Sequence, residues 1–159
     1  MPLWAAEENG DLVKEFPLVL TSAKLTHYIH SQGRGIPLLR RRVPEPFAEI
    51  HPETAMSLGI SSGDRIAIST LTGSIRVKAK ITDRVQPGVV SAQTGWWEAC
   101  EELGMPEQDP FSDEGANVCL IIANDVIDPI SGSIPGKAYP CKIVRDTEPE
   151  SDLQVRSRR

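Results

Sequence analysis

Between Thr21 and Arg34 the chain gathers side chains suited to holding an anion: Thr21, Ser22, Lys24, Thr26, His27, His30 and Arg34. Ala23, Gly33 and Gly35 are small and leave backbone N–H groups accessible. Hydroxyl, ammonium and guanidinium groups donate to phosphate oxygens, and successive free amides form anion-binding hollows. Leu18-Val19-Leu20, bounded by Pro17, reads as a buried strand emptying into this segment. The same composition occurs in loops that only connect elements, and residue types alone leave both readings open. Arg40-Arg41-Arg42 is either a solvated patch or a surface for an anionic partner.

Other residue clusters point away from chemistry of their own. Glu98 to Gly115 holds seven acids and no Lys or Arg, but their spacing is not that of a calcium loop. A solvated loop with one helical turn is the expectation there. Cys100, Cys119 and Cys141 are far apart and form no C-x-x-C pair, so neither zinc nor an iron–sulfur cluster is expected on this chain. Cys119 and Cys141 lie in apolar runs and read as core residues, while Cys100 reads as partly exposed. No metal ligand and no catalytic residue emerges.

The bulk composition narrows the class. A chain of 159 residues, 40% hydrophobic and 25% charged, suits one domain with a real core. A net charge of −5 argues against a general nucleic-acid binder. No apolar run approaches the roughly 20 residues that span a bilayer, so no direct membrane insertion is expected. The acids in MPLWAAEENGDL do not suit an export signal. The default location is cytoplasmic, in keeping with thiols held reduced.

The elements follow from periodicity. Phe47–Ile50 alternates as a strand, and His51–Gly59 reads as a short helix with Pro52 in its first turn, Gly59 at its stop and Ala55, Met56 and Leu58 on its apolar side. Arg65–Thr70 is a strand. Ser74–Thr82 alternates strictly, with Ile75, Val77, Ala79 and Ile81 inward. Val89–Ala92, Asn117–Ala123 and Tyr139–Val144 complete the strands. Of the adjacent Trp96 and Trp97, which point to opposite sides of an extended chain, at least one belongs to the core. The fold class is mainly β with short helices, a small closed or nearly closed barrel. Residues 1–16 read as a flexible lead-in, 17–145 as the barrel and 146–159 as a disordered tail.

FPLVLTSAKLTHYIHSQGR, EPFAEIHPETAMSLGISSGD, GWW, NVCLIIANDVIDPISG and GKAYPCKIV occur in the order seen in a known family. The chain resembles the C-terminal domain of the dimethyl sulfoxide reductase family, which includes formate dehydrogenases, nitrate reductases and thiosulfate or polysulfide reductases. The resemblance implies a double-psi β-barrel that binds molybdopterin guanine dinucleotide. It implies cofactor contacts from Thr21, Ser22, Ala23, Lys24, His27 and His30, with Asn117 and Lys137 matching a family Asn and Lys. A diphosphate suits Lys24, His27 and Arg34, and Trp97 or Phe111 is the bulky neighbour of the pterin. Family members often carry Thr-Gly-Arg where this chain has Thr21-Ser22-Ala23-Lys24. Ser22 restricts the backbone more than glycine, and Lys24 offers a point charge in place of a fork.

The resemblance further implies that molybdenum or tungsten is held by polypeptide outside this chain. The expected partners are the remaining domains or a catalytic subunit of a larger oxidoreductase. Alone the chain is expected not to catalyse. A stand-alone interaction module on the same barrel is the alternative reading.

Overall fold

The computed structural model describes residues 10–112, 116–124, 127–134 and 137–146. Residues 1–9 of the expected lead-in and the expected tail beyond residue 146 lie outside them. Six strands carry the fold: β1 (Leu18–Ser22), β2 (Phe47–Ile50), β3 (Arg65–Ser69), β4 (Ser74–Ile81), β5 (Val89–Ala92) and β6 (Tyr139–Arg145). They close into a barrel in the order β1-β5-β2-β4-β3-β6. β1 with β5 and β2 with β4 are parallel, and the other four pairings are antiparallel. This is a double-psi β-barrel, mainly β with short helices, as the family motifs imply.

Alternation decides which side chains fill the barrel. Leu20, Ala48, Ile50, Ile66, Ile68, Ile75, Val77, Ala79, Val90, Ala92, Cys141 and Ile143 all lie in one buried cluster. Each fully buried isoleucine contributes about 1.5–3 kcal/mol relative to an exposed one. The register keeps this alignment: Ile66 faces Val77, Ile68 faces Ile75 and Ile143, and Ile50 faces Val90. A one-residue slip would turn these side chains to solvent.

Three short helices decorate the barrel: α1 (Gly10–Glu15), α2 (Pro37–Arg40) and α3 (Pro52–Ser57). α1 is tied to β6, since Lys142 pairs with Glu15 at 3.1 Å and its ammonium stands 4.9 Å from the ring of the buried Phe16. α3 begins as its sequence dictates, with Nδ1 of His51 accepting from Glu53 N–H at 3.2 Å and Pro52 in the first turn. Its buried residues are Thr54 and Ala55, not the expected Ala55, Met56 and Leu58. Thr54 turns inward because its hydroxyl accepts from Gly88 N–H at 2.9 Å, which leaves Met56 78% exposed.

Two other expectations are corrected. Asn117–Ala123 is not a strand; Val118–Ile121 forms a 3-10 turn whose first free N–H, that of Cys119, donates to Asn117 Oδ1 at 3.1 Å. Six strands already close the barrel and offer no edge to a seventh. Val118 and Ile121 are buried all the same, and Cys119 points to solvent. Cys100, expected to be partly exposed, is fully buried, with its thiol donating to Gly35 O at 3.5 Å.

Ile66→Ala should lower stability by about 2–5 kcal/mol, whereas Met56→Ala should stay within about 0.5 kcal/mol; urea unfolding of both variants checks this. Burial pushes the Cys141 thiol up to about 12. In the folded chain a thiol reagent at pH 8 should therefore modify Cys119 quickly. Cys100 and Cys141 should react only once denaturant is added.

Candidate functional site

β1 ends at Ser22, and the segment after it folds back over the outside of the barrel. Its course is fixed by a buried cation. Arg34 is 2% exposed, and its guanidinium carbon lies 4.6 Å from the ring centre of Tyr28 and 4.7 Å from that of Trp96. Nη1 donates to His30 O at 2.8 Å and Nη2 to Thr94 O at 2.6 Å. The loop after β1 is thus fastened to the chain leaving β5. Tyr28 adds a second tie, its hydroxyl donating to Val43 O at 2.9 Å and Leu39 O at 3.2 Å. Burial raises the pKa of this phenol, so it remains a donor in neutral solution. Burial lowers that of the Arg34 guanidinium, and the neighbouring Tyr28 and Glu98 act in the opposite sense.

Gly95 makes the close approach possible. Its φ is +73°, and a Cβ there would collide with the backbone and Cβ of Ser31. His30 itself sits at φ +53°, in the left-handed region, which ordinary residues occupy at some cost.

Under this loop runs a cleft of about 660 Å³. One wall is Ala23–His27; the other is Arg42–Glu45 with the outward side chains Phe47 and Glu49 of β2 and Lys78 and Lys80 of β4. Ser91 and Gln93 line it from β5 and the residue after it, and Arg84 lines it as well. Lys78 pairs with Glu45 at 2.8 Å and Lys80 with Glu49 at 2.9 Å, so those charges cancel locally. Lys24, Arg42 and Arg84 have no carboxylate partner among the described residues. The cleft is therefore locally cationic on a chain whose net charge is −5. Low-dielectric walls focus such a field on an incoming anion.

The structure brings some of the sequence-selected residues together and separates others. Ala23, Lys24 and His27 line the cleft. Ala23, Lys24, His30 and Arg34 surround a small inner space beside it, where Lys24 Nζ stands 3.5 Å from His30 Nε2. Thr21, half-buried in β1, faces Ser91 across the parallel ladder. Lys137 donates to Ser22 O at 2.7 Å and Ser22 Oγ at 3.1 Å, holding the point where β1 opens into the loop. Arg34 is committed to packing and to two carbonyls, and its fork is not turned to the cleft.

Asn117 is spent on capping its own turn, and its NH2 donates to Pro110 O at 2.8 Å. That turn meets the same barrel end as Lys137: Thr70 donates to Ile121 O at 2.7 Å, and Thr72 Oγ1 lies 3.4 Å from the Tyr139 hydroxyl. Trp97 is half-buried and Phe111 is 81% exposed, and neither lines the cleft. Sequence reasoning missed Arg84 and Gln93. Arg84 sits in an ordinary turn and carries no signal; a polar Gln just ahead of a glycine that must pass close to another backbone is the signal for Gln93.

Comparison with known proteins now decides the family. The model of the molydopterin dinucleotide binding domain matches residues 18–140. The chain belongs to this family. It is 34% identical over 146 residues to a dopamine dehydroxylase of Eggerthella lenta, covering 91% of this chain and 14% of that protein. It is 31% identical over 154 residues to an acetylene hydratase of Syntrophotalea acetylenica, covering 88% and 20%. The nitrate-inducible formate dehydrogenase major subunit of Escherichia coli is 34% identical over 93 residues, 58% of this chain and 9% of that one. The solved acetylene hydratase of Pelobacter acetylenicus superposes with a TM-score of 0.73 at 25% identity, over 90% of this chain and 20% of that one. The chain thus spans a fifth or less of the length of these relatives. Among the described residues no helix is long and apolar enough to cross a membrane.

Gly95→Ala should cost more than Gly59→Ala. Both glycines have positive φ, but a Cβ at Gly59 meets nothing within 4 Å. The expected losses are about 1–2 kcal/mol at Gly59 and about 1–3 kcal/mol more at Gly95. Thermal unfolding measures both, and backbone amide shifts at residues 30–32 should move only in the Gly95 variant.

Proposed function

We propose that the chain binds molybdopterin guanine dinucleotide as the cofactor-binding domain or subunit of a larger molybdenum or tungsten oxidoreductase. The observation that carries this reading is the cationic cleft beneath the loop after β1, within a chain of the molydopterin dinucleotide binding family. Its volume lies in the range of small-molecule sites. Lys24, Arg42 and Arg84 suit a diphosphate, and the backbone of residues 21–30 with Ser91 and Gln93 offers neutral donors and acceptors for a ring system. Lys137 acts at one remove, by fixing Ser22 and hence the start of the loop. When bound, the cofactor supplies a redox-active metal; this chain's residues hold and orient the nucleotide part.

The remaining domains or the catalytic subunit of the parent enzyme complete the site. The relatives' greater length supports this. So does an apolar fringe of Leu71, Ile127, Ile130 and Ile134, exposed by 45% to 95%, on connections beside the barrel. Exposed apolar groups of this kind mark covered surfaces. The enzyme class is of the formate dehydrogenase, nitrate reductase or thiosulfate/polysulfide reductase type. The free thiols Cys100, Cys119 and Cys141 suit a reducing, cytoplasmic compartment.

Released molybdopterin guanine dinucleotide should bind the purified chain, followed by the anisotropy of pterin fluorescence. Lys24→Glu combined with Arg84→Glu should weaken binding at least tenfold, and Lys14→Glu, on exposed α1, should leave it unchanged. Raising salt should weaken the wild type more than the double variant. Equal affinities for all three proteins would overturn the assignment of this cleft.

A further inference from the structure

The connection between the 3-10 turn Val118–Ile121 and β6 exceeds the roughly 12–15 residues that unstructured loops ordinarily reach. Its described stretch, residues 127–134, is apolar where connections are usually polar. Ile127 and Ile134 are exposed, and Ile130, at 95%, is almost wholly so. The only charge in the stretch is Asp128, and the stretch itself engages it. Oδ1 accepts from Ser131 N–H at 2.7 Å, from the Ser131 hydroxyl at 3.0 Å and from Ile130 N–H at 3.1 Å. These bonds, that from Ser131 N–H foremost, hold the carboxyl below its usual range, so it stays ionised in neutral solution.

The backbone closes on itself as well. Gly132 N–H donates to Asp128 O at 2.8 Å, and Asp128 N–H donates to Ser133 O at 2.9 Å. Ser133 N–H donates to the Ser131 hydroxyl oxygen at 3.3 Å. Pro129 has no N–H. The main-chain donors from Asp128 to Ser133 are therefore all engaged. Unmet donors are what make a loop costly to bury, and this one has none on its backbone over that span. Its shape is also set beforehand, so little freedom is lost on contact. A loop built only to stay in water needs neither property.

The ends of the connection indicate what meets it. At one end Thr70 donates to Ile121 O, which places the exposed Leu71 next to the same turn. At the other, Lys137 donates to Ser22 O at 2.7 Å, where the loop over the cleft begins. Polypeptide that completes the cofactor site therefore approaches the place where this connection is rooted. The matched region is 14% and 20% of two relatives, so most of each is polypeptide available for such a contact. A lipid surface fits less well, since the stretch holds no Lys or Arg for anionic headgroups.

We propose that residues 127–134 form a docking tip, and that Ile130 plugs an apolar pocket in the polypeptide that completes the cofactor site. The inference rests on the chain being one part of a larger oxidoreductase, and it names the contact by which the parts join.

The test is photocross-linking in the whole oxidoreductase, in the cells that make it. p-Benzoylphenylalanine replaces Ile130 in one strain, Ile134 in a second and the exposed Met56 of α3 in a third. On irradiation, position 130 should join an apolar segment of the oxidoreductase outside this chain, read by mass spectrometry of the joined peptides. With the probe at position 134, adding Ile130→Asp should lower the yield about ten- to a hundredfold, the worth of burying one isoleucine. Ile130→Leu should retain the yield. The cross-link from position 130 is read without Ile130→Asp, so it stands even where that variant folds poorly.

Cross-links to the oxidoreductase from position 56 with none from 130 or 134 would overturn the docking tip, while the reading as part of a larger enzyme stands. Joining of position 130 to lipid, or only to peptides of residues 1–159, would overturn it too. If no position joins oxidoreductase polypeptide, the larger enzyme and the docking tip fall together.

Discussion

A guanidinium held between two aromatic rings sets the geometry of everything near the cleft. Arg34 is among the largest fully buried side chains, and no carboxylate is paired with it among the described residues. Burying a charge without compensation is expensive. Here the compensation comes from the faces of Tyr28 and Trp96 and from two main-chain carbonyls, at His30 and Thr94. Cation–π contacts strengthen when water is excluded. Trp96 is also approached by Arg40, 5.1 Å from its ring, whose Nε donates to Pro44 O at 2.8 Å. The loop after β1 and the connector around α2, which follow one another, are thereby locked to the chain leaving β5, sixty residues beyond Arg34.

This locking explains which parts of the molecule were legible in the sequence. The barrel strands were, because apolar positions alternate with more exposed ones; Ile75, Val77 and Ala79 against Arg76, Lys78 and Lys80 is the clearest case. The stretch from Asn117 misled because an apolar run can serve a 3-10 turn packed on a finished barrel as well as a strand. Arg34 misled for a related reason. An arginine in a small, polar loop suits an anion in solution, and only the arrival of Tyr28 and Trp96 turns it into a core residue. Of the loop residues selected for anion binding, Lys24 and His27 do line a cleft, while Asn117 and Lys137 are occupied with backbone.

Electrostatics acts locally in this protein. An acidic chain carries a cationic cleft because Lys78 and Lys80 are matched by Glu45 and Glu49 on the same wall, while Lys24, Arg42 and Arg84 are left over among the described residues. The paired lysines are partly exposed and contribute little to stability. They lie within one wall of the cleft and join β4 to β2 and to the residues just before it. Lys80 also lies 4.5 Å from the Phe47 ring, which stiffens the same wall.

The pairing order of the barrel has a kinetic meaning. β6 joins β1 on one side and β3 on the other, linking residues near 20 to residues near 140. Until it arrives, β1 and β3 expose unsatisfied edges, which invite pairing with other chains. Parallel partners β1 and β5 are likewise separated by some seventy positions of chain. Topologies dominated by such distant contacts fold slowly. Closure of the barrel therefore waits on β6, the last strand in chain order, which is paired on both sides.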